Sequence, residues 1–392
     1  MRKLIVFLLL ASSLMARPYR YDPYAPFTQM FGAFWQWTVG TRAFLPPSSG
    51  SLCGSSAHCY SLTYNSTLTG SANSSNFTAL VSGSGSAFCT VANGGYVNSS
   101  TGADIEAFTT NGFTTQLPSE LEYYQGSATC SFVLWVQIPT LSATTNGTIY
   151  LALGNASPPA RTPNPWDIYS GGVWHFPNGA ALSLADSTTN AHNGTEVNSP
   201  SAATGKIDGG MSLSSASSQM VTLGYSGSLV LYQTASFSAW VNPNSATAGN
   251  TRSIIGGSGT GDQYLELRVT GTNTINALEQ GVASLCTSAG SVPNGSWSYV
   301  GFTWDGTTCN IYINGAQSVS TTVSGSFNAG AGEAYQLGKG YGTGENFDGL
   351  LDEVHESNST IRSASWYLAE YNNQNAPGNV GSPGFWTWSL LQ

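Results

Sequence analysis

Charge is what this sequence has least of. Only 8% of its 392 residues are Asp, Glu, Lys or Arg, against roughly 25% in ordinary globular domains. Lys and Arg number 11 and Asp and Glu 20, a formal net charge of −9. No basic stripe exists to neutralise phosphates, which excludes nucleic acid as a partner. Charged helix formers are scarce and turn formers abundant, with 46 glycines. That balance favours strands and turns with polar, uncharged surfaces. There is no C-x-x-C, and the four histidines stand far apart, so the spacing of a zinc cluster is missing. Beyond the first residues no apolar run is long enough to cross a bilayer as a helix.

The chain opens "MRKLIVFLLLASSLMARPY". Arg2 and Lys3 precede an apolar run, Leu4 to Ala16, too short for a membrane helix, and Ala16 suits cleavage. Residues 1–16 therefore read as a signal peptide, and the mature chain as secreted, extracellular or at a cell surface, with the periplasm as a variant. Six cysteines follow the signal. An even number in an exported chain suggests disulfides. The spacing offers three local pairs, Cys53–Cys59, Cys89–Cys130 and Cys286–Cys309, one connectivity among about fifteen.

Residues 17–52 form an arm rich in Tyr, Phe, Trp and Pro, ending in the linker "LPPSSGS". Residues 53–160 alternate short β-prone runs with Gly/Ser/Asn turns. In "CSFVLWVQIP", Val133, Trp135 and Gln137 alternate with Leu134, Val136 and Ile138, a strand apolar on both faces and so central in a sandwich. "SPPARTPNP", Ser157 to Pro165, holds four prolines in nine residues and cannot lie in a sheet. Residues 166–376 are again all-β. "WDGTTCNIYING" places turns at Asp305-Gly306 and Asn314-Gly315 around an alternating strand, which predicts a meander. "SASWYLAEYNNQ" alone reads as helical. Residues 377–392 are an aromatic tail, "GFWTWSLLQ" at its end. The fold class is all-β, with two β-sandwich domains.

From about Val173 to Gln374, "VWHF", "DSTTNAHNGT", "GKIDGGMSLS", "FSAWVNP", "WSYVGFTWDGTTCNIYINGAQ" and "FDGLLDEVHESNSTIRSASWYLAEYNNQ" follow one another. In this order they resemble a bacterial laminin-G-like, concanavalin A-like jelly roll. "LPSELEYYQGSATCSFVLWVQIPTLSATTNGTIYLALGNASPP" is similar to an uncharacterised β-sandwich domain that often precedes such jelly rolls. The resemblance implies an extracellular module, usually one that binds carbohydrate or another surface ligand. It does not fix the ligand, since folds host many functions.

"FDGLLDEVHES" is the most acidic short stretch. Glycosidases on this scaffold resemble one another in a strand motif, Glu-x-Asp-x-x-Glu, which is absent here. By strand alternation Asp352, Val354 and Glu356 share one face, and Glu353 and His355 the other. Asp352 and Glu356 are then about 13 Å apart, too far for an acid and nucleophile that need about 5–5.5 Å. Glu353 is expected to reach Arg362 as a surface pair of little energetic value. His58, His175, His192 and His355 show no paired spacing, and each reads as a surface or hydrogen-bonded residue.

A calcium reading suits the residues better. Calcium takes six to eight oxygens from carboxylates, amides and carbonyls on loops. Asp186, Asn190 and Asn193 supply such oxygens, and the resemblance implies that their loop meets Asp352 around a structural calcium. The metal-free alternative has Asp186 capping a turn and Asp352 accepting backbone amides. Tyr341, Glu345, Asn346 and Phe347, in the glycine-rich loop "GKGYGTGENFDG", are the ligand-binding candidates, since binding residues favour loops on rigid scaffolds.

These readings lead to a secreted, non-catalytic protein that recognises a glycan or another surface polymer. Two alternatives stay open. One is a structural or adhesive component of a cell surface or virion that self-associates through its arm or tail. The other is a polysaccharide hydrolase or lyase with an unfamiliar site.

Overall fold

The computed structural model describes residues 53–161, 164–177, 179–223, 234–244, 249–257, 265–279, 283–323, 335–340, 342 and 344–392. Residues 1–52, on which the signal-peptide and aromatic-arm readings fall, and Tyr341 lie outside the described residues. The chain divides into Met1–Gly50 and Ser51–Gln392; all that follows concerns the second unit.

Its first part contributes β1 (His58–Tyr64), β2 (Ser74–Ser84), β3 (Glu106–Phe108), β4 (Ser119–Gln125), β5 (Ser131–Leu141) and β6 (Thr148–Leu153). The second part contributes β7 (Gly172–Trp174), β8 (Thr195–Val197), β9 (Ser201–Thr204), β10 (Gly209–Leu213) and β11 (Met220–Thr222). It continues with β12 (Ala235–Pro243), β13 (Arg252–Gly257), β14 (Leu265–Val269), β15 (Thr274–Glu279) and β16 (Ala283–Ser291). Then come β17 (Ser298–Trp304), β18 (Thr308–Ile313), β19 (Ala316–Thr322), β20 (Tyr335–Leu337) and β21 (Gly349–Ser357). The helix α1 (Ala364–Asn375) and β22 (Trp386–Leu390) end the chain.

Two small sheets, ordered β22-β1-β6-β3 and β2-β5-β4, make the first sandwich. β5 is central and apolar on both faces, as its alternation predicts. The aromatic tail does not remain free for assembly contacts. β22 pairs antiparallel with β1, Leu62 opposite Trp388. Trp386 is fully buried and Trp388 nearly so, and the Trp386 indole donates to the Leu80 carbonyl at 2.8 Å. The end of the chain thus completes the sandwich formed by its beginning. The proline-rich segment is pinned as well: Arg161 donates to the carbonyls of Gly102 and Ile105 at 3.1 and 2.7 Å.

The jelly roll packs a sheet ordered β19-β18-β17-β12-β21-β10-β9, with β7 also on β21, against one ordered β16-β15-β14-β13-β20-β11-β8. Phe237, Ala239 and Val241 of β12 alternate into the shared core with Val300, Phe302, Leu265, Leu267 and Val269. The expected meander forms β17, β18 and β19. Its second turn has positive φ at both Asn314 and Gly315, the type I′ geometry that matches strand twist.

α1 begins at Ser363, whose side chain accepts the Trp366 amide. It lies on the outer face of the first sheet, where Trp240, Tyr299, Tyr312 and Tyr367 pack together. Gly301 permits this approach: a Cβ there would sit 2.5 Å from the Tyr367 ring. The other side of α1 meets the first sandwich, Trp366 edge-on to Phe77 at 4.9 Å. Asn373 bonds both the amide and the carbonyl of Leu80. One face of the jelly roll is therefore sealed by α1 and the first sandwich.

The disulfides are Cys53–Cys59, Cys89–Cys130 and Cys286–Cys309. The last joins β16 to β18 and so bridges the two jelly-roll sheets. Cys89–Cys130 spans 41 residues and Cys53–Cys59 only 6. Loop entropy predicts that replacing Cys89 and Cys130 by alanine costs about 4 kcal/mol, against about 2 kcal/mol for the short loop. Urea denaturation of the two double variants checks the order; a larger loss from the short loop would overturn the entropic account.

Candidate functional site

The acidic strand β21 is central. β12 pairs along one side of it; β10 and then β7 pair along the other. A bulge breaks its alternation. The register with β12 shifts between Ser238 and Trp240, and Glu353 has φ of +49°. A bulge puts two residues opposite one and re-aims side chains. Leu351 and Val354 both enter the jelly-roll core. The parity expected from the sequence is thus corrected: Asp352 parts from Val354 and Glu356 and turns toward the first sandwich, with Glu353 and His355.

There Glu353 is buried, 1% exposed, and the expected surface pair with Arg362 is replaced by two histidines. Glu353 Oε2 lies 2.8 Å from His175 Nδ1 and 3.1 Å from His355 Nε2. Arg362 instead covers the rings of Tyr169 and Trp366. The histidines' outer nitrogens face further carboxylates. His355 Nδ1 is 2.8 Å from Glu370 Oε1, and His175 Nε2 is 3.5 Å from Glu120 Oε2. Glu122 Oε2 lies 3.8 Å from His175 Nδ1 and accepts the Trp135 indole N–H at 2.7 Å. Trp166 donates to Glu120. Trp135 stacks on His175 at 5.4 Å, and Trp166 packs on both imidazoles.

Burial pulls His175 down, but the charges of Glu353 and Glu122 outweigh it and raise it well above the usual imidazole value. Burial likewise opposes His355, and the hydrogen bonds of Glu353 and Glu370 raise it. Glu370 is held below the usual range because His355 and Tyr299 overcome its burial. Burial, then the charge of Glu353, pushes Asp352 and Glu122 well up. Chemically the cluster can store protons or hold a divalent cation. Glu120 is its contact with solvent, 31% exposed by side chain, beside a cleft of about 420 Å³ lined also by Ser119, Arg161, Asn164 and Ser187.

The sequence placed neither His175 nor Glu120, Glu122 and Glu370 in a site. The available signal was charge inside strong strand or helix patterns of a chain that otherwise avoids it: "ELE", "VWHF", "DEVHE" and Glu370 in α1.

The residues considered for calcium make the following contacts. Asp186 Oδ1 accepts the amides of Val173 and Thr188; Oδ2 accepts the Thr188 hydroxyl and the His192 amide. Four donors match the roughly four lone-pair sites of a carboxylate. Asn193 Oδ1 accepts the Asp186 amide, and Asn190 donates to carbonyls of residues 169–171. Asp352 Oδ2 accepts the amides of Lys206 and Ile207, and no donor is shared between the two aspartates.

Of the loop candidates, Phe347 is a core residue with no exposed surface, which corrects its expected ligand role. Asn346 is buried and donates to Ser218. Glu345 belongs to a polar strip on the outer face of the second sheet. Because Leu265, Leu267 and Val269 point into the core, Glu266 and Arg268 point out. Arg268 pairs with Glu345 Oε1 at 2.9 Å and donates to Asn276 Oδ1 at 3.2 Å. Asn276 donates to the hydroxyls of Ser284 at 2.7 Å and Thr287 at 3.0 Å. The strip thus crosses β14, β15 and β16. Glu266 is buried with neither carboxylate oxygen hydrogen-bonded. Burial, then the charge of Glu345, pushes it up to about 7.

Residues 215–365 match the family described as the concanavalin A-like lectin/glucanases superfamily. This part of the chain is a concanavalin A-like jelly roll. Among solved structures it is similar to domain 4 of AbnA, a GH43 extracellular arabinanase from Geobacillus stearothermophilus, in complex with arabinotriose. That likeness has 22% identity and a TM-score of 0.43, over 51% of this chain and 97% of the other. It is also similar to the receptor binding domain of botulinum neurotoxin mosaic serotype C/D, at 16% identity and a TM-score of 0.41, over 53% and 51%. A third is the binding domain of Paraclostridial Mosquitocidal Protein 1, at 12% identity and a TM-score of 0.41, over 51% and 52%. This chain therefore spans only about half of either toxin domain. No curated protein matches the chain.

Proposed function

We propose that the protein is an extracellular, non-catalytic module that binds a glycan or another polyhydroxylated surface polymer through the outer face of β14, β15 and β16. The observation that supports this most is the strip Glu345–Arg268–Asn276–Ser284/Thr287. It sets a carboxylate, a guanidinium and two hydroxyls around the buried amide of Asn276, and the partly exposed Glu345 and Arg268 with the exposed Ser284 and Thr287 are donors and acceptors of the kind that pair with sugar hydroxyls. The jelly roll's opposite face is covered by α1 and the first sandwich, while on this side Arg268 and Glu345 are partly exposed by side chain and Ser284 and Thr287 are exposed. Three disulfides accord with an oxidising, extracellular setting. No helix among the described residues is long and apolar enough to cross a membrane. The non-catalytic reading draws on the burial of Asp352, Glu353 and Glu356, since an acid or nucleophile has to reach its substrate.

A glycan and polysaccharide array, read with and without added calcium, tests the proposal. Selective binding is expected. Arg268→Ala should weaken it at least about tenfold, the loss of one charge-assisted hydrogen bond, while the melting temperature moves little. Binding that needs calcium would support the glycan reading and make Asp186 and Asp352 the first substitutions to locate the ion. Polymer cleavage, or no binding by folded protein, would overturn the proposal.

A further inference from the structure

We propose that His175, Glu353 and His355 bind a zinc-class divalent cation at the junction of the two sandwiches, with Glu122 beside them. The site is independent of the glycan-binding face.

One ligand atom from each of His175, Glu353 and His355 lies within 4.8 Å of the others, and all three residues are buried. Tetrahedral ligands bound at about 2.0–2.1 Å are separated by roughly 3.3 Å. The two nitrogens already stand 2.8 and 3.1 Å from one oxygen of Glu353, so both imidazoles converge on the carboxylate that would share the cation with them. The outer nitrogens are oriented as metal-binding imidazoles usually are, each toward a carboxylate: His355 toward Glu370 and His175 toward Glu120.

A second, independent observation points inward. Glu353 Oε1 and Glu122 Oε1 are buried without a hydrogen-bond partner, and these side chains are 0% and 1% exposed. Bare buried carboxylate oxygens are costly. Four carboxylates, Glu120, Glu122, Glu353 and Glu370, also face only two imidazoles, an imbalance that a dication corrects. Imidazole nitrogens select zinc, nickel or copper over calcium and magnesium. All six cysteines are in disulfides, which leaves this cluster as the zinc-suited donor set among the described residues. The three ligands belong to the jelly roll and Glu122 of the first sandwich faces them, so the cation would sit where the two sandwiches meet.

The test uses full-length protein, stripped with a chelator, dialysed, and titrated with zinc chloride by calorimetry. Cobalt(II) is the spectroscopic probe. One equivalent of zinc is expected, with a raised melting temperature and a visible cobalt spectrum of low coordination number. Glu353→Gln should weaken zinc binding at least 100-fold. Glu370→Gln, which leaves every ligand in place, should weaken it about 10–100-fold. Glu196→Gln, at an exposed position of β8 outside both sites, should leave zinc affinity unchanged. Folded wild-type protein that takes up no zinc at micromolar concentration overturns the proposal, as does uptake unchanged in Glu353→Gln. If that variant fails to fold, the wild-type cobalt spectrum decides: a spectrum identical to the aqueous ion overturns the site.

Discussion

Glu370→Ala is expected to lower the unfolding free energy of the Ser51–Gln392 unit by about 3–5 kcal/mol, the cost of breaking a buried charge network by removing one member. Glu370 lies in α1 and accepts from Tyr299 at 2.9 Å, Trp366 at 3.1 Å and Ser238 at 3.1 Å. It also holds His355 at 2.8 Å. These donors come from β12, β17, β21 and α1 itself. Alanine leaves the Tyr299 hydroxyl and the Trp366 indole N–H buried and unpaired, and strands His355 beside Glu353 alone. Glu370→Gln keeps the shape and one acceptor, so a smaller loss is expected. Urea denaturation in metal-free buffer, followed by tryptophan fluorescence, measures both. A loss under about 1 kcal/mol for the alanine variant would be that of an ordinary surface pair, and would mean that the network does not hold α1 to the sheet.

Glu266→Gln is expected to have the opposite sign, and only at higher pH. The carboxyl titrates near 7 in the folded protein, above its ordinary 4.5. Between those values the unfolded chain loses its proton while the folded protein keeps it. Folding stability therefore falls as pH rises through this window and levels off above 7. A shift of this size corresponds to about 3 kcal/mol. Glutamine cannot ionise, so the variant should match the wild type near pH 4.5 and exceed it by about 3 kcal/mol at pH 8. Equal stabilities at pH 8 would place Glu266 in contact with water, with an ordinary titration.

Much of the architecture was legible because it rests on local rules. The two-sided apolar pattern of Phe132 to Ile138 marks a central strand wherever it packs. Asn314-Gly315 specifies its own hairpin by positive φ. Ser363 and the residues after it specify a helix start, although not the surfaces the helix covers. Glu345 stands out in the sequence as an acid in a glycine-rich segment, and it lies in the polar strip. Its neighbours there, Arg268 and Asn276, went unnoticed because each is one outward residue of an unremarkable alternating strand.

The acidic stretch shows where such reasoning ends. Its composition was plain, but the direction of each carboxylate hung on one residue. The bulge at Glu353 arises from β21's pairing with β12, a partner more than a hundred residues away, and it reverses the parity that alternation assigns. The same holds for the histidines: 178 positions separate His175 from Glu353, and only the docking of the first sandwich brings Glu120 and Glu122 to them. The tail reads as a loose aromatic end until β1 offers it an edge.

By itself the sequence determined an all-β chain, its strands, the hairpins and the poverty of charge. These follow from the side-chain period, backbone preferences at turns, and composition, all local or additive quantities. Tertiary structure alone decided which of the few charges are buried together, which sheet face α1 covers, and that the last strand belongs to the first sandwich. Those depend on register and on long-range packing, where a one-residue bulge moves a carboxylate from one face of a sheet to the other.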